Sequence, residues 1–408
     1  MQPPSTALVL SGGGARGAYE VGVVAGIVEV LAERTPRRAP FDVFTGTSVG
    51  AVNATYLAAH AHRADLGIDG LVARWAGLSL ERHLPLDPFG LLGWPRTLGV
   101  RLRRRRLDPA TLGAHYGRAL FDPRPLEELV STGLSWQELH ANVRDGTVRA
   151  LVIAALDVAR GRTTVFGELS AGTSHVSSRD ARREFRPELI TADHVLASAA
   201  IPLVFPARRI GGAYYCDGGL RFNTPMAPAL RLGVERLVLV ALRYAGSPQR
   251  KPDALPEYPS PLFLVGKVLN ALLLDPVDYD LQVLERLNRV LEVLEETVTP
   301  DQLARVMGVL EEERGMAYKR VRTLVFRPSE DIGVLAGRHL REARHGIRLR
   351  SRLTSALLRH ASAIGHSVET DLGSFLLFDG GYASALIDLG RRDARARAAE
   401  IRAFFPAM

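Results

Sequence analysis

Two glycine-rich segments carry the residues best suited to chemistry. In Gly46-Thr47-Ser48-Val49-Gly50 a serine sits between the strand-like run Phe41 to Phe44 and the helix-like run Ala51 to Ala59. Such a turn pushes the hydroxyl out of the chain at a helix N-terminus, where the dipole favours developing negative charge, and so reads as a nucleophile elbow. Alone the pentapeptide is weak, because the chain has 38 glycines. Its weight comes from Ser11 to Gly17, which joins the strand-like run Thr6 to Leu10 to the helically spaced run Ala18 to Ile27. Glycines at that joint expose backbone N–H groups to an anion. The anion is either a dinucleotide pyrophosphate or the oxyanion of a tetrahedral intermediate. For the first, Gly12-x-Gly14-x-x-Gly17 satisfies the fingerprint, with Asp42 or Glu33 as the acidic partner downstream. A nucleophilic serine in the very next strand-to-helix turn favours the second.

A serine hydroxyl is a poor nucleophile until a base takes its proton. The usual base is histidine held by an acid, yet none of the 11 histidines sits in a motif. His339, His345, His360 and His366 follow Asp217, so the order Ser, Asp, His stays open. Position argues against an α/β-hydrolase, because Ser48 has room for only one strand and helix before it. Two aspartates end strand-like runs, in Asp217-Gly218-Gly219 and in Asp379-Gly380-Gly381, and local sequence does not separate them.

Four motifs in order over residues 6 to about 230 resemble the patatin-like phospholipases. They are Gly12 to Gly17 with Arg16 in place, Gly46 to Gly50, Ala197-Ser198-Ala199-Ala200-Ile201-Pro202, and Asp217-Gly218-Gly219. The resemblance implies a three-layer α/β fold with a mostly parallel central sheet, and a serine lipid acyl hydrolase acting on glycerophospholipids or related acyl esters. It implies a dyad in which Asp217 accepts the Ser48 proton directly, and it favours Asp217 over Asp379. Gly12, Gly13, Gly14 and Arg16 would surround the oxyanion, with backbone N–H groups as donors, and Gly17, Gly46, Gly50, Gly218 and Gly219 would support the turns. No cofactor is required. A transacylase would use the same residues, and a nucleotide-binding or regulatory protein with an inactive elbow is the reading from another class. In water an aspartate, with a pKa of about 3.9, is a poor base, so the dyad needs Asp217 partly buried.

The surrounding elements must hold these residues. Strands near 6–10, 41–45, 148–155, 236–242 and 322–327 alternate with helices near 18–34, 50–63, 124–141 and 192–200, a βαβ pattern whose strand ends face ligands. This gives a catalytic domain over 6–245, with 79–124 as a lid or insertion, a linker at 245–261, and a C-terminal mainly helical extension over 262–408. Leu262 to Leu274 and Leu281 to Glu296 read as helices capping the core, and Asp388 to Arg402 as an exposed helix.

The chain has 408 residues, 47% of them apolar, enough for more than one average domain. The lone cysteine, Cys216, rules out an internal disulfide and reads as a packed core residue. No histidine cluster has metal-ligand spacing. The absence of a long apolar run or signal peptide leads to the expectation of a cytoplasmic protein, peripheral to the membrane. The net charge of +8 is concentrated at Arg101, Arg103, Arg104, Arg105 and Arg106, beside apolar residues, which suits anionic lipid head groups. Nucleic acid is disfavoured, since no recognition motif accompanies the patch.

Overall fold

The computed structural model describes residues 5–34, 38–85, 119, 121–222, 226–244, 246, 261–343 and 370–405. The arginine run, most of the 79–124 segment, nearly all of the 245–261 linker, and His345, His360 and His366 lie outside them.

Among the described residues nine strands form one sheet: β1 (Thr6–Leu10), β2 (Val43–Thr47), β3 (Ala150–Asp157), β4 (Arg162–Leu169), β5 (Arg183–Pro187), β6 (Arg208–Ile210), β7 (Ala213–Asp217), β8 (Arg236–Val240) and β9 (Arg322–Phe326). The main order is β5-β4-β3-β2-β1-β8-β9, and the run β3, β2, β1, β8 and the edge strand β9 is parallel. β1 and β8 are short, and after Thr6 and the half-buried Arg236 they are apolar and buried, as expected of strands covered on both faces.

Alternate residues of these strands feed two cores. Leu8, Leu10 and Phe44 face the helices Gly17–Ala32 and Val49–Ala59, whereas Ala7, Val9 and Val43 face the helices Met226–Arg231 and Asp275–Thr297. The result is three layers, helix on sheet on helix.

The helix Gly17–Ala32 is buried nearly all round because the long helix Gly380–Ala396 covers its outer side. Their backbones meet so closely that a Cβ at Gly22 would collide with the Ile387 carbonyl oxygen. Sequence reading placed an exposed helix over 388–402. Within that range Leu389, Gly390, Ala394 and Ile401 are buried, and the arginines lie on the remaining face. Arginine density alone hid that amphipathic pattern. Phe375 to Phe378 is not a strand either: the helix Thr370–Leu376 ends there, and Asp379 caps the next helix through the Gly381 and Tyr382 N–H groups at 3.0 and 3.1 Å.

Candidate active site

Ser48 stands at the junction of β2 and the helix Val49–Ala59, with φ 55° and ψ −128°. A left-handed φ is uncommon for a non-glycine residue and is held only where the surroundings over-determine it. Here they do. The Ser48 N–H donates to Ser198 Oγ at 2.9 Å, and that hydroxyl donates to the Ala154 carbonyl of β3 at 2.7 Å. The first helical turn also passes so near β1 that a Cβ at Gly50 would meet the Leu10 carbonyl, and one at Gly46 the Gly50 backbone.

The strand register explains why Asp217 faces this serine. β4 pairs with one edge of β3 along its whole length, while β2 pairs with the other edge and stops with Thr47 opposite Ala154. β7 takes over that second edge from the opposite direction, with Asp217 opposite Ala155. The ends of β2 and β7 therefore meet at adjacent positions of β3, and the residue after Thr47 is Ser48. Gly218 packs on the Ala154 backbone, and the Gly219 N–H donates to Asp217 Oδ1 at 2.7 Å.

Asp217 is 1% exposed, and burial pushes its carboxyl up to about 7, opposed by the Ser48 hydroxyl and the Gly219 N–H. Oδ2 has no partner at hydrogen-bonding geometry. The Ser48 hydroxyl is thus near enough to favour the carboxylate without a closed bond. Cys216 next to it is buried in the core, and burial raises its thiol to about 11.

The glycine loop follows β1. Gly13 and Gly14 lead a short turn, Gly14–Arg16, that runs straight into the helix Gly17–Ala32, so the leading N–H groups are those a helix leaves unpaired. Arg16 is placed differently from the loop glycines. Its N–H bonds to Gly13 O at 3.2 Å, and its buried guanidinium bonds Ser374 Oγ at 2.8 Å and stacks on Phe375 at 4.0 Å.

The dinucleotide alternative loses its acidic partner. Asp42 accepts from Thr6 N at 2.7 Å and so lies at the N-terminal end of β1, the opposite end from the loop. Glu33 pairs with Arg402 at the far end of its helix.

Sequence reading missed a buried chain linking loop, elbow and wall. Glu20 accepts from Asn53 Nδ2 at 2.9 Å and from the Ser11 N–H, while Asn53 Oδ1 accepts from Trp75 Nε1 at 3.0 Å. Burial holds Glu20 well above the usual carboxylate range, opposed by the Asn53 amide and the Ser11 N–H. Its position one helical turn into an apolar run was the available signal.

A cavity of about 100 Å³ opens beside Ser48 and Gly14. Val52, Tyr56, Leu71, Trp75, Leu126, Phe205, Phe375 and Phe378 line it, and Arg74 and His83 add the charged and titratable groups. Among the described residues no histidine is bonded to Ser48 or Asp217. His339 instead bonds Asp379 at 2.8 Å, which holds that carboxyl below its ordinary range. Asp379 is therefore occupied as a helix cap and ion-pair partner.

The sequence profile of the patatin-like phospholipases matches residues 8–230, from β1 through the elbow and Asp217. The chain belongs to the patatin-like phospholipase family. Membership supports lipid hydrolase activity in general. Among solved structures, VipD from Legionella pneumophila aligns over 97% of this chain and 88% of its own at 14% identity, with a TM-score of 0.30. No curated protein matches. The matched region ends before the helix Thr370–Leu376, yet that helix and Phe378 supply part of the cavity wall. Among the described residues no helix is long and apolar enough to cross a membrane.

Proposed function

We propose that the protein is a serine lipid acyl hydrolase that cleaves acyl esters of glycerophospholipids or related lipids through a Ser48–Asp217 dyad. The observation that carries this reading is the buried Asp217 carboxyl, raised to about 7 with Oδ2 unpartnered beside a serine of left-handed φ. A carboxylate of that pKa is matched to proton transfer at neutral pH, unlike one in water.

Asp217 takes the hydroxyl proton as Ser48 Oγ attacks the ester carbonyl. The oxyanion forms against the Gly12–Gly14 loop, where the N–H groups of Gly13 and Gly14 are the proposed donors. Collapse expels the alcohol, which takes the proton back from Asp217, and leaves an acyl-Ser48. Asp217 then draws a proton from the water that attacks the acyl carbonyl, and collapse breaks the acyl–Oγ bond, frees the fatty acid and returns the proton from Asp217 to Ser48. The apolar cavity suits the acyl chain, whose burial contributes about 0.8 kcal/mol per methylene. The enzyme would meet its lipid at a membrane surface, with the arginines of 101–106 against anionic head groups.

Ser48→Ala tests the reading. It should abolish labelling by a fluorophosphonate and lower ester hydrolysis by roughly 10³-fold or more. Wild-type labelling or turnover in this variant would sink the proposal.

A further inference from the structure

Arg16 stands two residues after the loop glycines, and its own N–H is bonded to Gly13 O at 3.2 Å, so whatever holds Arg16 holds the loop. Its guanidinium is gripped by two elements beyond the region matched to the family. Nε donates to Ser374 Oγ at 2.8 Å, Nη2 lies 3.4 Å from Asn270 Oδ1 and 3.8 Å from Asp371, and the plane covers Phe375 at 4.0 Å. Ser374 is fully buried, and its hydroxyl donates to the Asp371 carbonyl at 2.6 Å, so the oxygen that receives Arg16 is itself fixed in direction. Asp371 is tied in turn to Lys267 at 2.7 Å. The contact extends to the loop backbone: Gly14 has φ 57°, and a Cβ there would strike the Phe375 carbonyl oxygen.

We infer that Ser374 is a positioning residue for the oxyanion loop, acting through Arg16, so that the segment 371–375 completes a catalytic site whose nucleophile and base lie in the matched region. The inference rests on the Ser48–Asp217 reading above. A buried guanidinium is costly unless its donors are satisfied. Removing the Ser374 hydroxyl leaves Nε without its acceptor, and Arg16 shifts to find another. The loop shifts with it. Preorganised oxyanion donors tolerate little displacement, because a misplacement of about 1 Å costs about 10²-fold in rate. Phe375 and Leu376 of the helix Thr370–Leu376 line the cavity, but most of its wall, such as Val52, Leu71 and Leu126, comes from other elements, so binding weakens less than the chemical step slows.

The experiment compares wild type, Ser374→Ala, Ser374→Thr, Asp371→Asn and an unrelated core variant, Ile401→Val, on a soluble short-chain ester. Thermal unfolding is measured beside kcat, KM and the rate of fluorophosphonate labelling. Ser374→Ala should lose about 10- to 100-fold in kcat and in labelling rate, with KM within about two-fold. Ser374→Thr, which keeps the hydroxyl, should return to within about three-fold of wild type, and Asp371→Asn should fall between the two. Should Ser374→Ala fail to fold, the same order between Ser374→Thr and Asp371→Asn carries the test. The inference is overturned if folded Ser374→Ala turns over like wild type. It is also overturned if Ile401→Val loses as much kcat for an equal loss of melting temperature, since the hydroxyl would then matter only for stability. Ser48→Ala separates the two failures: an active Ser48→Ala removes the dyad reading itself, whereas an inactive Ser48→Ala beside an unimpaired Ser374→Ala removes only the role of Ser374.

Discussion

Replacing Asp217 by asparagine should inactivate the enzyme and stabilise it at the same time, by an amount that depends on pH. The folded carboxyl titrates at about 7, against about 3.9 in the unfolded chain. Its folded pKa is raised, so the folded state holds the proton more tightly, and ionisation favours unfolding as pH climbs between those values. At about pH 8 the full difference of about three units applies, a penalty of about 4 kcal/mol. At about pH 5 only about 1.5 kcal/mol of it is present, and near pH 4 about 0.5. Asparagine does not titrate, and its Oδ1 can still accept the Gly219 N–H now bonded at 2.7 Å. Urea unfolding of wild type, Ser48→Ala and Asp217→Asn at about pH 8 and about pH 5 measures this. Asp217→Asn should gain on wild type at pH 8 and lose most of that gain at pH 5, while Ser48→Ala, equally inactive, keeps the buried carboxyl and should still lose stability as pH rises, at least as steeply as wild type because the hydroxyl that favours the carboxylate is gone. In wild type the same group should appear as one rise in kcat/KM through about pH 7. An Asp217→Asn protein whose advantage does not change with pH would refute the buried-base argument, and one that hydrolyses ester normally would refute the dyad.

Three further outcomes follow from the same geometry. Ser198→Ala removes the acceptor of the Ser48 N–H and the donor to Ala154 O, so it should destabilise by about 1–3 kcal/mol and slow fluorophosphonate labelling about 10-fold without abolishing it. His339→Gln should leave kcat within a few-fold, because its ring pairs with Asp379 and not with the site; a loss as large as that of Ser48→Ala would restore a triad. Changing Arg101, Arg103, Arg104, Arg105 and Arg106 to glutamine should reduce sedimentation with anionic liposomes, an attraction that about 0.5 M salt also removes, and spare a soluble ester; unchanged vesicle binding would leave the patch without a lipid role.

The parts of the site that were legible in the sequence are the local ones. A buried strand followed at once by glycines and a helical run is written in about twenty consecutive residues, so both loops stand out from the order of residues alone. The base was less legible, because Asp217-Gly218-Gly219 and Asp379-Gly380-Gly381 look alike; what separates their settings is a register, Asp217 opposite Ala155, that no local pattern contains. Ser198 sat inside a noticed motif with its task hidden, since its partners Ser48 and Ala154 lie 150 and 44 residues away. The grip on Arg16 spans 358 residues and has no local signature at all. Phe375 to Phe378 misled for a different reason: a short apolar run fits a strand or a helix end equally well, and only its neighbours decide.

The site concentrates features that a protein selected for stability alone would avoid. Ser48 holds a left-handed φ that costs about 1–3 kcal/mol. Asp217 is buried with one oxygen unpartnered, and Glu20 is buried with Oε1 unpartnered. These three residues lie at the ends of strands or in the first helical turns beyond them, where the sheet is most constrained. There the ladder of β1, β2 and β3 fixes the backbone on both sides, so strain cannot relax by a local shift of one loop. Ser48 would otherwise leave its φ for an ordinary region, but its N–H is bonded through Ser198 to the same β3 carbonyl neighbourhood that positions Asp217. The strain at Ser48 and the poor solvation of Asp217 are therefore one structural decision, made by ending β2 and β7 head to head on β3. Relaxing either residue requires moving that edge.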